Sequence, residues 1–199
     1  MPTNTTVPRI LDATRRLVVE QGYAALSTRK VADLAGVPLS QIHYHFGSKE
    51  LLVLCMLDAE NAQLLERQGA MYAEDEPLSQ QWATACDYLD DDLASGYVRV
   101  LLEMMAAGLS NELIGERVHD IIHGWSEVLT TAARRHADRG FSFGPLSIDQ
   151  VVALTSAAFV GAELLILSGH EDQLPLRESL RAIGTLIESG ERAMEREVA

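Results

Sequence analysis

Residues 27–50 read STRKVADLAGVPLSQIHYHFGSKE, and this stretch decides the fold. Ser27 is placed to cap a first helix whose inward residues are Val31, Ala32 and Ala35. Gly36 then supplies the left-handed position of a tight turn, which a residue with a Cβ takes up less readily. Val37 is the small apolar residue that packs the turn onto the core, and Pro38 lacks an amide proton that the first turn of a following helix leaves unpartnered anyway. The second helix is predicted over 39–46. Its Ile42 and Phe46 lie four apart and share one face, while Ser40 and Tyr44 point the other way with Gln41 and His43 beside them. One anchored apolar face and one face of hydrogen-bonding groups is the division that a helix in a DNA major groove requires.

The flanks fit the same reading. Thr6 precedes a helix over 7–21 with the inner stripe Ile10, Ala13, Leu17 and Val18, which Gly22 ends. Tyr23 and Leu26 are expected to pack beneath the two short helices as core. Arg9, Arg15 and Arg16 read as solvated, with Arg9 near enough to the DNA face to touch a phosphate. Ser48 caps a further helix with Lys49 in its first turn, where the helix amides and the ammonium both favour a phosphate. That helix is read through Leu51, Leu52, Cys55, Met56, Ala59 and Ala62 to about residue 69.

These residues carry a resemblance. Gly22-Tyr23, Ser27, Arg29, Val31-Ala32, Ala35-Gly36-Val37, Ile42, Tyr44-His45-Phe46 and Ser48-Lys49-Glu50-Leu51 resemble the DNA-binding domain of the TetR family of bacterial transcriptional regulators. The likeness covers about the first quarter of the chain. It departs from the family pattern at His43, where tyrosine is usual, at Pro38, where serine or threonine is, and at Lys30, a position more often acidic. Ser40, Gln41 and His43 are the expected base-edge residues. Tyr44, Ser27, Arg29 and Lys49 are expected at phosphates, with Thr28, Pro38, Leu39 and His45 completing the DNA-binding set.

Charge is divided unevenly along the chain, whose net charge is −13. Residues 1–55 hold six basic and four acidic side chains, and residues 56–199 hold ten against twenty-five. An acidic body would hold the duplex to the one neutral-to-basic part, and it would also keep a dimer soluble. No apolar run reads as long and uninterrupted enough to span a bilayer, the longest, 151–167, being broken by Ser, Gly and Glu163. The N-terminus shows no signal-peptide core. Cys55 and Cys86 have neither metal nor redox spacing and read as reduced, buried thiols of a cytoplasmic protein.

The body reads all-α, for about nine helices in total: a three-helix DNA-binding domain over 1–50 and a helical effector-binding and dimerisation domain over 51–199. Glu74-Asp75-Glu76-Pro77 opens a helix carrying Trp82, Cys86, Leu89 and Leu93. Gly96 separates it from a helix over 97–109, and Asn111 caps a long one to about residue 139. GFSFGP, residues 140–145, is the clearest loop, after which Ser147 and Gln150 form a capping box. The last helix starts near residue 176.

Small residues on the last two helices allow close helix approach, inside one subunit or across a two-fold axis. The family resemblance implies the second, with Leu154, Ala158, Gly161, Ala162, Leu165, Leu180, Ile183, Gly184 and Ile187 at the interface. Met56, Trp82, Cys86, Tyr97, Met104, Met105, Trp125 and Phe159 are large or polarizable enough to line a pocket for a flat or greasy molecule, though most would also serve as core. Glu163, alone in an apolar stretch, must reach solvent, pair with Arg99 or Arg181, or face that pocket. Glu116, His119 and His123 have helical spacing without a third strong ligand nearby, so no metal is expected. No nucleophile, phosphate-loop or paired-carboxylate signature appears, so no catalytic residue and no cofactor are expected. The expectation is a homodimeric repressor that binds an inverted-repeat operator and is released by a small hydrophobic effector. The alternative is a metal- or redox-sensing regulator.

Overall fold

The structure, a computed structural model, describes residues 6–198. Residues 1–5, the start of the N-terminus read as lacking a signal-peptide core, lie outside the described residues. Among the described residues there are nine helices and no strand: α1 (Thr6–Gln21), α2 (Thr28–Ala35), α3 (Leu39–Phe46), α4 (Lys49–Ala73), α5 (Leu78–Ser95), α6 (Tyr97–Gly108), α7 (Glu112–Asp138), α8 (Ile148–Leu167) and α9 (Leu176–Val198). They group into two compact units. The first holds residues up to 63 and residues 96–121, and the second residues 64–95 and 122–199, so α4 and α7 contribute to both.

In the first unit α1 buries Ile10, Ala13, Leu17 and Val18 and packs on α2 and α6. Packing against α1 is close enough at residue 96 to exclude a side chain. Gly96 has φ +83°, and a Cβ there would stand 2.5 Å from Val19 Cγ2. Arg9 and Arg15 reach solvent as expected, and each also holds a partner. Arg15 pairs with Glu60 at 2.9 Å, and Arg9 Nη2 donates to the carbonyls of Ala35 and Gly36 at the end of α2. The reason is local: the last carbonyls of a helix have no intrahelical donor, and a guanidinium supplies one. Tyr23 is half-buried rather than core, its amide donating to Glu103 Oε2 at 2.6 Å.

α4 runs past Gly69 to Ala73. A glycine inside a helix weakens it by roughly 1 kcal/mol but does not end it when the next turn buries apolar side chains, and here that turn buries Met71 and Tyr72. The residues through which this helix is read divide between its two faces. Leu52, Val53, Leu54, Met56 and Leu57 are buried, whereas Leu51, Cys55, Ala59 and Ala62 are exposed, so Cys55 is not the buried thiol it was read as.

In the second unit α5 packs on α8 and α9. Trp82, Cys86, Leu89, Ala162 and Leu180 form one cluster, and Met71, Tyr72, Ala85 and Ala132 another, with Phe159 against both. The end of α4 is tied down by Gln81, which is fully buried. Its Nε2 donates to the carbonyls of Met71 and Glu74 at 3.3 and 3.1 Å, and its Oε1 accepts from His136 Nε2 at 2.8 Å. That orientation places the His136 proton on Nε2, and burial pushes the His136 pKa down, keeping the ring neutral.

α8 opens with the expected capping box, Gln150 N donating to Ser147 Oγ and Ser147 N to Gln150 Oε1. By length and composition, however, α8 is a 20-residue helix apolar enough to cross a membrane, with a mean hydropathy of 1.9 in its most apolar window. The interruptions counted against it do not lower an average set by Leu, Val, Ile, Ala and Phe. Just 17% of that window is buried, and Leu154, Leu164 and Leu167 are exposed.

Candidate nucleic-acid interface and effector cavity

α3 follows a left-handed turn. Ser27 Oγ accepts from Lys30 N at 3.3 Å to start α2, and Gly36 at φ +63° ends it. Pro38 is the residue before the first turn of α3, not in it, and its carbonyl accepts from Gln41 N at 2.9 Å. Ile42 and Phe46 are buried, and Ser40, His43 and Tyr44 are exposed, Tyr44 by 80%. Gln41, Leu39 and His45 are intermediate, and Thr28 and Arg29 stand at the start of α2, Arg29 exposed. The Tyr44 and His45 rings meet edge-on at 4.9 Å. His43 Nδ1 lies 3.2 Å from the Gly47 carbonyl. Since a carbonyl only accepts, Nδ1 carries the proton, which leaves Nε2 as the acceptor of the neutral ring.

Lys49 opens α4 with its ammonium 4.1 Å from the centre of the Tyr23 ring. Ser48 Oγ accepts from Leu51 N at 3.2 Å, as a cap does. The neighbouring Glu50 carboxyl is held below its usual range, first by its own amide and then by the Ser48 hydroxyl.

The second unit holds a cavity of about 440 Å³. Tyr72 comes from α4, Leu78 and Trp82 from α5, and Leu129, Ala132 and Ala133 from α7. Phe143 and Leu146 come from the loop after α7. Val151, Val152, Leu154, Thr155 and Ala158 come from α8, and Ile183 and Ile187 from α9. No charged side chain is among them. Of the expected effector residues Trp82 alone lines this cavity. Cys86 lies in the core beneath it, and Phe159 meets the Trp82 ring edge-on at 5.5 Å. Met56, Tyr97 and Met104 are buried core of the first unit, to which Met105 also belongs, and Trp125 is half-buried on α7. Large side chains were expected to mark the pocket. Instead they fill space, and the walls are mostly ordinary Ala, Val and Leu that no sequence pattern singles out.

Glu163 does not line the cavity. It makes no hydrogen bond or ion pair among the described residues. Arg181 is engaged by Asp87 and Asp90, and Arg99 by Glu103, so neither expected pairing forms. Arg67 donates to both oxygens of Asp92 at 2.7 and 2.9 Å. Burial, and secondarily the Asp92 carboxylate, push the Glu163 carboxyl up to about 8. It therefore carries a proton through most of the neutral range.

The small-residue stripe divides in two. Ala162 and Leu180 are buried within one protomer, and a Cβ on Gly184 would meet Trp82 Cδ1 at 3.2 Å. These three face inward, against expectation. Ala158, Ile183 and Ile187 pack partly on the same cluster. A Cβ on Gly161 would meet no neighbour within 4 Å, Leu165 is half-buried, and Leu154, Leu164 and Leu186 are exposed.

Among the described residues no three His, Cys, Asp or Glu side chains come together as a metal set, and His119, His123 and Glu116 are exposed. Both thiols are free. Burial raises each, and the Cys86 thiol reaches about 11.

Residues 10–56 match the family described as bacterial regulatory proteins, tetR family. A helix-turn-helix-type transcriptional regulator of Mycobacterium tuberculosis is 27% identical over 163 residues, spanning 80% of this chain and 82% of its own. Among solved structures, a Saccharomonospora viridis protein in complex with choline has a TM-score of 0.76 at 21% identity, covering 90% of this chain and 95% of that one. The regulator FadR from Bacillus subtilis, in complex with stearoyl-CoA, has a TM-score of 0.72 at 17% identity, covering 92% and 98%. At these identities the two structures establish the fold.

Proposed function

Since the chain belongs to the TetR family of bacterial transcriptional regulators, we propose that it is a repressor that holds an inverted-repeat operator as a homodimer and releases it when a small hydrophobic effector enters the cavity. Residues 1–50 would read DNA, and residues 51–199 would carry the effector and the partner. The observation that carries the DNA reading is the division of α3 between buried Ile42 and Phe46 and exposed Ser40, His43 and Tyr44. Two copies of α3 then meet half-sites about 34–36 Å apart or a multiple of that. Gln41 offers an amide suited to adenine, and His43 offers Nε2 as an acceptor for an exocyclic amine of cytosine or adenine. Tyr44, Ser27, Arg29 and Lys49 hold phosphates.

Dimerisation is supported by α8, an apolar helix left largely uncovered in one protomer. The face to be covered is redrawn as Leu154, Gly161, Leu164 and Leu165 on α8 with Leu186 on α9. The apolar lining of the cavity supports a hydrophobic effector. Tyr72 lines the cavity from the last turn of α4, the helix that begins at Lys49 behind α3. An effector that moves this turn would bias the spacing of the two α3 helices.

The test is binding to genomic fragments selected by the protein. Gln41→Ala is expected to relax sequence preference. Lys49→Ala is expected to weaken all sequences alike and flatten the salt slope by about one ion. Were Lys49→Ala to change which sequence is preferred while Gln41→Ala left it intact, the assignment of roles would be reversed.

A further inference from the structure

The lining of the cavity narrows the chemistry of its occupant, on the reading just given that this cavity is the effector site. No lining side chain is charged, so a buried ammonium or carboxylate would find no counter-ion there. The polar side-chain groups of the wall are few. Trp82 Nε1 is committed to the Leu180 carbonyl at 2.7 Å. The hydroxyls of Tyr72 and Thr155 have no hydrogen-bond partner among the described residues. Of these two, Tyr72 is the more deeply set residue, at 9% exposure, whereas Thr155 is intermediate. A hydroxyl with no protein partner, on a residue set this deep among apolar neighbours, is open to a hydrogen bond from a ligand. Burial pushes the Tyr72 phenol up to about 12, so it stays a neutral donor and acceptor.

Tyr72 also borders a smaller cavity of about 290 Å³ that contains Arg135. That guanidinium is turned to the Tyr72 carbonyl, with Nη1 at 2.9 Å.

We infer that the effector is an uncharged, largely apolar molecule with one hydrogen-bonding group, and that the Tyr72 hydroxyl is the specificity-determining contact for that group.

The experiment is calorimetric titration of the full chain at pH 7 with 1-octanol, octanoate, octylammonium and butylbenzene, the last having no hydrogen-bonding group. Octanol is expected to bind at least about tenfold more tightly than either charged probe, the penalty of an unpaired buried charge being well above one decade. Tyr72→Phe should weaken octanol about three- to tenfold, the range of a single net hydrogen bond, and leave butylbenzene within about twofold. Thr155→Val should leave octanol within about twofold. Octanoate or octylammonium binding as tightly as octanol overturns the uncharged class. Unchanged octanol binding in a folded Tyr72→Phe protein, or loss in Thr155→Val alone, overturns the Tyr72 contact while the cavity keeps its role. Failure of all four probes, butylbenzene included, removes the cavity as the effector site and this inference with it. The comparison of probes on the parent protein stands even if Tyr72→Phe does not fold.

Discussion

Residues 27–50 and α8 treat their apolar side chains in opposite ways. In the first, the apolar residues of one face are covered within their own unit and Leu34 alone of the α2 apolar side chains is left exposed. Val31, Ala32, Ala35, Ile42 and Phe46 are all buried, and the polar positions between them are exposed or intermediate. α8 is apolar nearly all round, yet Leu154, Leu164 and Leu167 are exposed while Val152, Ala162 and Ile166 are buried. An amphipathic helix announces which side faces inward. A uniformly apolar one does not, because any orientation buries about as much apolar surface.

The largest expected effect falls on the open helix. Gly161→Arg places a long cation where a Cβ has no neighbour within 4 Å, so the fold should hold and self-association should fail. Sedimentation should show monomers, and operator affinity should drop by at least about a hundredfold as two linked half-site contacts become one. A Gly161→Arg protein that still sediments as a dimer would move the interface off this part of α8.

Next is the carboxyl on the same helix. The folded pKa of Glu163 is raised to about 8 from 4.5. The folded state therefore binds a proton that the unfolded state releases. The stabilisation is full below about pH 4.5 and is lost as pH rises through about 8. Glu163→Gln should match the parent near pH 4.5 and exceed it at pH 9 by on the order of 2 kcal/mol, discounted for partial exposure. Parallel urea-unfolding curves for the two proteins at both pH values would show that Glu163 is solvated instead.

The closed region should respond to smaller insults. Gly36→Ala adds a Cβ at φ +63° and 2.9 Å from Arg9 Nη2, which must give way. A destabilisation of about 1–2 kcal/mol is expected, against no loss for Gly161→Ala on the open helix, where alanine is the better helix former. Equal midpoints for these two alanine variants in guanidinium would erase the contrast. Smallest is Ser27→Ala, which removes the cap on Lys30 N at 3.3 Å. It should cost about 1 kcal/mol, read as a shift in unfolding midpoint with operator preference unchanged. A changed preference would mean that Ser27 reads sequence rather than holding the helix.

Several features were legible in the residues because they are decided within a few positions of each other. Gly36 needed its left-handed turn, Ser147 and Gln150 reciprocate across one helical turn, and Ile42 with Phe46 fixes which side of α3 faces out. The all-helical class and the family followed from that local information. Tertiary structure decided the rest. It sent Arg9 to the end of α2, carried α4 through Gly69, exposed Cys55, and turned Ala162, Leu180 and Gly184 inward while leaving Leu154 out. It also built the cavity from Ala132, Val152 and Tyr72 rather than from Met104 or Trp125. A cavity is a place that side chains from five helices and a loop fail to fill, so its walls depend on long-range packing that no single stretch of sequence encodes.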